Sequence, residues 1–194
     1  SVFCIGTGNE AASAGHTSGR IISEGEETIQ LAIQSRQSSI SIQIWKEYTD
    51  QIEISIINPS GVRVGPVPEI LGPHRFRIGQ TEILLYYGEP SPYSISQEIY
   101  IDLLPVESYL TEGIWRIVLS AGKIVTGQYE MWLPSDNVLN RGTGFLFPTD
   151  ATTLTIPSSA SRAISVGAYD ARTFAYADFS GRGFTRLTNM VKPD

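Results

Sequence analysis

The chain contains few of the residues that could cross-link it, bind a metal ion or attract a polyanion. Its 194 residues include one cysteine and two histidines, which excludes an internal disulfide and argues against a Cys- or His-based metal cluster. Lys and Arg number 14 against 20 Asp and Glu, for a formal net charge of -6, and no basic stripe favours nucleic acid. No apolar run approaches the roughly 20 residues of a membrane span. We therefore expect no cofactor, no metal site, no nucleic-acid partner and no membrane span.

The residues that are present favour a folded globular protein. Hydrophobic residues make up 41% of the chain and aromatic residues 10%, against 18% charged residues, which is too apolar for a disordered chain. The sequence starts on an apolar run, residues 1–5, without an initiating methionine, and stops after Lys192-Pro193-Asp194. Natural domains usually have polar, frayed ends, so we expect a piece of a longer protein.

Between about residues 27 and 158, hydrophobic and polar residues alternate. Alternation places one set of side chains on one face of a strand, and Ile, Tyr and Trp favour strands. Turn signals such as Asn58-Pro59-Ser60-Gly61 separate the runs. The clearest runs are Ile29/Leu31/Ile33, Ile40/Ile42/Ile44, Ile52/Ile54/Ile56, Ile99/Ile101/Leu103, Trp115/Ile117/Leu119 and Tyr129/Met131/Leu133. About eight short strands of this kind predict a mainly β protein, an antiparallel β-sandwich or jelly roll.

Two short apolar segments, residues 2–5 and 163–168, bracket this alternating block. Continuous apolar runs indicate strands buried on both faces, as in α/β proteins, and they favour Cys4 as a core residue over a reactive thiol. The small residues 11–15, which follow the first of these segments, are turn-like or briefly helical. We therefore predict a partial α/β fragment that carries a β insertion, with segments 1–19 and 154–194 flanking an insertion of residues 20–153.

Four short segments resemble, in order, the motifs of subtilisin-like serine proteases (peptidase family S8). Ile5-Gly6-Thr7-Gly8-Asn9-Glu10 resembles an apolar strand followed by A-x-G-N-E/D, and residues 156–170 resemble P-x-x-x-x-x-V-I-x-V-G-A-x-D. Residues 177–183 resemble x-x-F-S-S-x-G, and Lys192-Pro193-Asp194 is similar to the family's K-P-D. The long β-rich insertion resembles the jelly roll of Csp-type bacterial spore-germination proteases. The resemblance implies a jelly roll inserted into a partial α/β subtilisin-like fragment of a secreted or spore-associated serine endopeptidase, whose partner is a protein or peptide substrate.

The same resemblance implies roles for residues 6–9. Asn9 matches the family's oxyanion-hole asparagine, whose amide donates a hydrogen bond to the negative oxygen of the tetrahedral intermediate. Gly6, Thr7 and Gly8 match the segment that edges the pocket for the substrate side chain preceding the scissile bond. The alternative for Asn9 is that its side-chain carbonyl caps the turn that follows.

The family's catalytic Asp, His and Ser have no counterpart in this sequence, so we expect the chain alone to be inactive. Ser180 lies in a structural segment and lacks the G-x-S-x-G context of a nucleophile elbow. His16 and His74 are predicted to lie in loops. The acidic residues Glu24, Glu26 and Glu27 lack regular calcium-ligand spacing and favour a solvated turn.

A second hypothesis is a non-catalytic β-sandwich binding module, or a pseudo-protease that has lost its triad. Jelly rolls often bind carbohydrate on an aromatic face, although aromatic residues at period two usually pack in a core. Gly113-Ile114-Trp115 and Trp132-Leu133 resemble a pattern of other subtilase jelly rolls in which both tryptophans pack inside. The aromatic candidates for stacking are Tyr86, Tyr87, Tyr93, Tyr100, Trp115 and Trp132. The oligomeric state stays open.

Overall fold

The computed structural model describes residues 2–135, 137–186 and 188–194, and every regular element among them is a β-strand. The strands are β1 (Cys4–Gly6), β2 (His16–Arg20), β3 (Glu26–Ile33), β4 (Ile40–Glu47), β5 (Ile52–Ile57), β6 (Arg63–Val67), β7 (Gly72–Ile78), β8 (Thr81–Tyr87), β9 (Ser96–Pro105), β10 (Gly113–Ala121), β11 (Gln128–Trp132), β12 (Gly144–Phe145), β13 (Ile164–Val166), β14 (Tyr169–Asp170), β15 (Ala175–Tyr176), β16 (Gly183–Phe184) and β17 (Val191–Lys192). The prediction of a mainly β protein is confirmed. The described residues include no helix that could cross a membrane.

Two antiparallel sheets form the body of the molecule. The six-stranded sheet has the spatial order β2-β11-β4-β9-β8-β7, and the five-stranded sheet has the order β12-β3-β10-β5-β6. Neighbours in these sheets are far apart in the sequence: β11 lies between β2 and β4, and β10 lies between β3 and β5. This arrangement of two sheets with long crossing connections is that of the predicted jelly roll.

The hydrophobic core lies between the inner faces of the two sheets. Ile42 of β4 and Ile101 of β9 face each other across neighbouring strands, and both are fully buried. In the five-stranded sheet, Trp115 of β10 pairs with Leu31 of β3, and at most 1% of either side chain is exposed. Removing such a side chain leaves a cavity and typically destabilises a protein by about 2–5 kcal/mol. The period-two alternation of the sequence therefore identified the residues that hold the sandwich together.

The outer face of the six-stranded sheet carries the alternate residues. Trp132 is directly opposite both His16 and Gln43, and Gln43 is opposite Tyr100, so these side chains form one row across four strands. Trp132 was expected to pack inside with Trp115, and this expectation is wrong. The core position is taken by Met131, which is fully buried, so its neighbour Trp132 must point to the opposite face.

The two flanking segments meet through a parallel pair of strands, β1 with β13. Parallel pairing is typical of α/β proteins, but the predicted α/β character finds no support in the described residues, because they contain no helix. Residues 11–15 form turns, in which Ser13 bonds back to the carbonyl oxygen of Glu10 through its amide (3.2 Å) and its hydroxyl (2.8 Å). This stretch is too short to continue as a helix before β2 begins.

The pair of β1 and β13 is exposed, contrary to the expectation from its apolar sequence. Cys4 is exposed, and Ile164 opposite it is 44% exposed, so the prediction that Cys4 is a core residue is wrong. The physical reason is that β1 has one strand neighbour, and no described residue covers the outer side of the pair.

The second flank also contacts the jelly roll. The guanidinium of Arg186 lies 4.7 Å from the ring centroid of Trp45 on the outer face of β4, a cation–π contact. Burial lowers the pKa of Arg186, against the opposing effect of the nearby carboxylates Glu130 and Glu47. The ring nitrogen of Trp132 donates to the carbonyl oxygen of Thr152 at 3.3 Å, where the chain leaves the sandwich. Because β2 pairs with β11, the six-stranded sheet includes residues before position 20, and the predicted domain limits stay a prediction.

Candidate active site

Residues 6–9 continue from the end of β1 and are held by backbone hydrogen bonds on both sides. The amide of Thr7 donates to the carbonyl oxygen of Val166 at 3.1 Å, and the amide of Thr155 donates to the carbonyl oxygen of Thr7 at 3.1 Å. The segment therefore lies between β13 and the strand-like stretch at Thr155. Gly8 then adopts a φ of 88°, a left-handed conformation that favours glycine, and turns the chain toward Asn9.

The two faces of this segment differ. The Thr7 side chain is 2% exposed and points inward, where its hydroxyl lies 3.0 Å from the Ser180 hydroxyl. The space that a Cβ atom would occupy at Gly6 is open, with no atom within 4 Å, whereas at Gly8 it is occupied by the Thr155 methyl group. The face that is predicted to meet substrate is thus open at Gly6 and covered by Thr155 at Gly8.

Asn9 is exposed at a bend directly after Gly8. Its side chain makes no hydrogen bond with any described residue, so the capping contact considered above is absent from this part of the chain. The turn that follows is closed instead by Ser13, as described above. The Asn9 amide is therefore free to donate to a group that approaches from outside.

A small cavity of about 140 Å³ adjoins this loop and brings the flank and the jelly roll together. Glu10 and Ser13 line it from the loop, and His16 and Trp132 line it from the edge of the six-stranded sheet. The first strand of the sandwich thus begins beside the loop that carries Asn9.

Both histidines lie in strands, so the prediction that they occupy loops is wrong. His16 begins β2, is 3% exposed, and contacts the Glu130 carboxylate through Nε2 (2.9 Å) and Thr149 through Nδ1 (3.0 Å). His74 lies in β7, where its Nε2 is 2.8 Å from the carbonyl oxygen of Ile70. Gly19, in the same strand as His16, leaves room for Tyr129, which packs against it where a larger side chain would not fit.

An ion pair between buried Lys192 and partly exposed Asp194 supports the β1–β13 pair. Lys192 is 2% exposed, and its ammonium group donates to the Asp194 carboxylate (2.6 Å) and to the carbonyl oxygen of Ala163 (2.7 Å). The same Asp194 carboxylate accepts the amide of Ser165 in β13 at 2.8 Å. The hydrogen bond from Lys192 and that from Ser165 hold the pKa of Asp194 below its usual value. The K-P-D motif thus anchors the strand that supports residues 5–7.

No group of three or more metal-ligating side chains occurs among the described residues. Of the acidic residues predicted to form a solvated turn, Glu24 lies in a turn, whereas Glu26 and Glu27 begin β3; all three are exposed, and Glu26 accepts a hydrogen bond from the Ser120 hydroxyl at 2.9 Å. Of the aromatic candidates, Tyr87 and Trp115 are buried in the core, Tyr86 and Tyr100 face each other on the outer face, and Tyr93 is 95% exposed in a loop.

No protein-family model and no curated protein matches the chain. The solved structure of the Clostridium perfringens CspB protease superposes on the whole chain with a TM-score of 0.90 and 32% sequence identity. The chain is similar to part of a bacterial protease. It covers 40% of the CspB chain, so the similarity extends over all of the present sequence but less than half of CspB.

The similarity to CspB includes the jelly roll and both flanks, since all of the chain is matched. At this identity, the likeness to CspB extends beyond the arrangement of strands to about one residue in three. The Csp-type resemblance drawn from the motifs and from the long insertion is therefore supported by a solved protease. What CspB does is a property of that protein, and its bearing on the present chain is a proposal.

Proposed function

We propose that this chain is part of a subtilisin-like serine endopeptidase of the Csp type and supplies its oxyanion hole and one wall of its substrate pocket. The observation that carries the proposal is the match of the whole chain to the CspB protease with a TM-score of 0.90. The family motifs on residues 5–10 and 192–194 support the finer assignment to serine chemistry. The substrate would be a protein or peptide, and the protein would be secreted or spore-associated.

In this proposal, Asn9 stabilises charge that develops during the reaction. Attack on the scissile carbonyl by a serine places a negative charge on its oxygen, and a fixed amide N–H aimed at that oxygen lowers the barrier. An asparagine is suited to this role because its amide donates without carrying a charge. The exposed and otherwise unengaged side chain of Asn9 is consistent with this role. The nucleophile, its histidine base and the orienting aspartate would come from outside this sequence.

In the same proposal, residues 6–8 bind the substrate chain close to the backbone. Gly6 has no side chain and no neighbour within 4 Å on its open face, so a substrate could approach it closely. Thr7 supports the segment from the inner side, with its hydroxyl turned away from the substrate.

Labelling with a serine-directed fluorophosphonate tests this proposal. The full-length protein should be labelled at a serine outside this sequence, and the 194-residue chain alone should not be labelled. The absence of labelling and of peptide hydrolysis in the full-length protein would favour a pseudo-protease or a binding module. Labelling at Ser180 would contradict the proposal, since this serine is fully buried.

A further inference from the structure

Three consecutive residues, 179–181, hold the chain on both sides of Asn9. The carbonyl oxygen of Phe179 accepts the amide of Ala11 at 3.1 Å, and the amide of Gly181 donates to the carbonyl oxygen of Gly8 at 3.0 Å. Between them, the hydroxyl of Ser180 contacts the hydroxyl of Thr7 at 3.0 Å. Thus residues before and after Asn9 are attached to one short segment that is about 170 positions away in the sequence.

The hydroxyl groups can be assigned donors and acceptors by counting protons. The Tyr176 hydroxyl donates to the carbonyl oxygen of Gly181 at 2.9 Å, so its oxygen accepts from Ser180 at 3.2 Å. Ser180 has a single proton and gives it to Tyr176, so the Thr7 hydroxyl must donate to Ser180. Ser180 also accepts the amide of Ala168 at 2.8 Å. We call these four residues, Thr7, Tyr176, Ser180 and Gly181, the Ser180 network.

The Ser180 network is closed by hydrogen bonds, and it is buried at Ser180 and Thr7 while Tyr176 is 38% exposed. Thr7 donates to Ser180, Ser180 donates to Tyr176, and Tyr176 donates to the carbonyl oxygen of Gly181. The amide of Gly181 then donates to the carbonyl oxygen of Gly8, next to Thr7. Ser180 is fully buried and Thr7 nearly so. A side chain at position 181 would collide with the carbonyl oxygen of Thr7. Connected hydrogen bonds whose donors and acceptors are all satisfied reinforce one another and favour a single arrangement.

We infer that Ser180 is a positioning residue for Asn9: its hydroxyl holds Thr7, and through Thr7 it sets where the Asn9 amide points. The inference rests on the proposed function, because it assigns Ser180 a part in aiming an oxyanion donor. The Asn9 side chain bonds to none of the described residues, so its direction depends on the backbone bonds of residues 7, 8 and 11. A displacement of about 1 Å in a catalytic group can lower a rate by as much as about a hundredfold.

The test uses the full-length protein and a matched pair of substitutions at Thr7. Thr7→Val keeps the volume of the side chain and removes the hydroxyl, whereas Thr7→Ser keeps the hydroxyl. Thr7→Val should lower kcat about tenfold or more with KM little changed, and Thr7→Ser should stay within about threefold of the parent. Ser180→Ala should act like Thr7→Val. Active-site titration corrects each rate for the fraction of folded enzyme, and the Thr7 pair carries the test if Ser180→Ala does not fold.

A double-substitution cycle separates positioning from general support of the fold. If Ser180 and Thr7 act through Asn9, then Thr7→Val made together with Asn9→Ala should lower kcat no further than Asn9→Ala alone. The inference would be overturned if Thr7→Val lowered kcat equally with Asn9 present and with Asn9→Ala, or if Thr7→Ser lowered kcat as much as Thr7→Val. Either result would leave the proposed function in place. A parent that hydrolyses no peptide, or an Asn9→Ala variant with parental kcat, would overturn both.

Discussion

Asn9 is the residue on which the proposed chemistry depends. The residues before and after it are held by backbone hydrogen bonds at Thr7, Gly8 and Ala11, while its own amide is exposed and bonds to none of the described residues. A donor of this kind loses no existing hydrogen bond when an oxyanion forms beside it. Rigid backbone and a free amide together are what preorganised stabilisation of charge requires.

Asn9→Ala in the full-length protein should therefore lower kcat by about 10²–10³ with little change in KM, because the lost donor acts on charge that develops only in the transition state. Asn9→Asp should be at least as harmful, because a carboxylate repels the oxyanion. Steady-state kinetics on a peptide substrate and a melting curve for each variant give the answer. Asn137→Ala, at another exposed asparagine, is the matched control. A parental kcat for Asn9→Ala would remove the oxyanion role, and a large fall in Tm would favour a structural one.

Individual strands show which parts of this fold can be predicted from sequence. β4 and β9 alternate strictly and β10 does so except at buried Val118, so all three were predicted from the pattern. β6 and β7 carry Pro66 and Pro73 and bury fewer residues, so their sequences resemble loops. β1 and β13 are apolar but exposed, which local sequence cannot distinguish from burial.

Some residues of the candidate site could likewise be predicted from the sequence and others could not. Asn9 and residues 6–8 were found because a contiguous motif carries them. The contact of Thr7 with Ser180 joins positions 7 and 180, and only the folded chain brings them together. The position of His16 beside Trp132 likewise follows from strand register, which no short motif encodes.

The connection between β4 and β5 shows how a single buried carboxylate organises a neighbouring loop. Asp50 is fully buried, and its carboxylate accepts the amides of Val125 (2.6 Å), Thr126 (2.9 Å) and Gly127 (2.8 Å) just before β11. The ammonium group of Lys46 donates to the carbonyl oxygen of the same residue at 2.6 Å. These bonds join two turns at one end of the jelly roll.

Asp50→Ala should lower the free energy of unfolding by about 3 kcal/mol or more, because it leaves three amides without a partner in a buried site. Asp102→Ala is the control, since this carboxylate lies on the outer face of β9 and accepts from Ser41 at the surface; it should change stability by less than about 1 kcal/mol. Urea denaturation followed by tryptophan fluorescence reports on both, because all three tryptophans lie in the sandwich strands. An equal loss of unfolding free energy in Asp50→Ala and Asp102→Ala would show that the buried Asp50 carboxylate contributes no more than a surface one.

Across the whole molecule, stability is unevenly distributed. The two large sheets share one continuous core, whereas the flanks consist of two-stranded pairs with exposed hydrophobic residues, such as Phe174 at 82% and Val191 at 67% exposure. Polar contacts, above all the Lys192–Asp194 pair, hold the flanks in place of a core. The segments that carry the proposed chemistry are therefore also those expected to open first.

This distribution predicts how the flanks respond to pH. A carboxyl group whose folded pKa is lowered stabilises the fold above its unfolded pKa of about 3.9, and the stabilisation disappears as pH falls through the lower folded value. Asp194 is such a group, held chiefly by Lys192. On acidification from pH 6 to pH 2.5, hydrogen-exchange protection, corrected for the intrinsic exchange rate at each pH, should fall in residues 163–194 before it falls in the jelly-roll strands. Simultaneous opening of both regions would contradict this.

Asp194→Asn should reproduce the acid effect at neutral pH. It removes the charge that pairs with buried Lys192 and leaves an unpaired ammonium group, which favours local opening of the flank. Thermolysin at pH 7 should therefore cut residues 163–194 faster in this variant than in the parent, while the sandwich stays intact. Asp170→Asn is the control. Asp170 and Arg172 form an exposed ion pair with a long separation of 3.9 Å, so its loss should leave the cleavage rate unchanged. Equal cleavage of the two variants would show that the Lys192–Asp194 pair does not hold the flank, and cleavage that starts within the sandwich would show that the molecule opens as one unit.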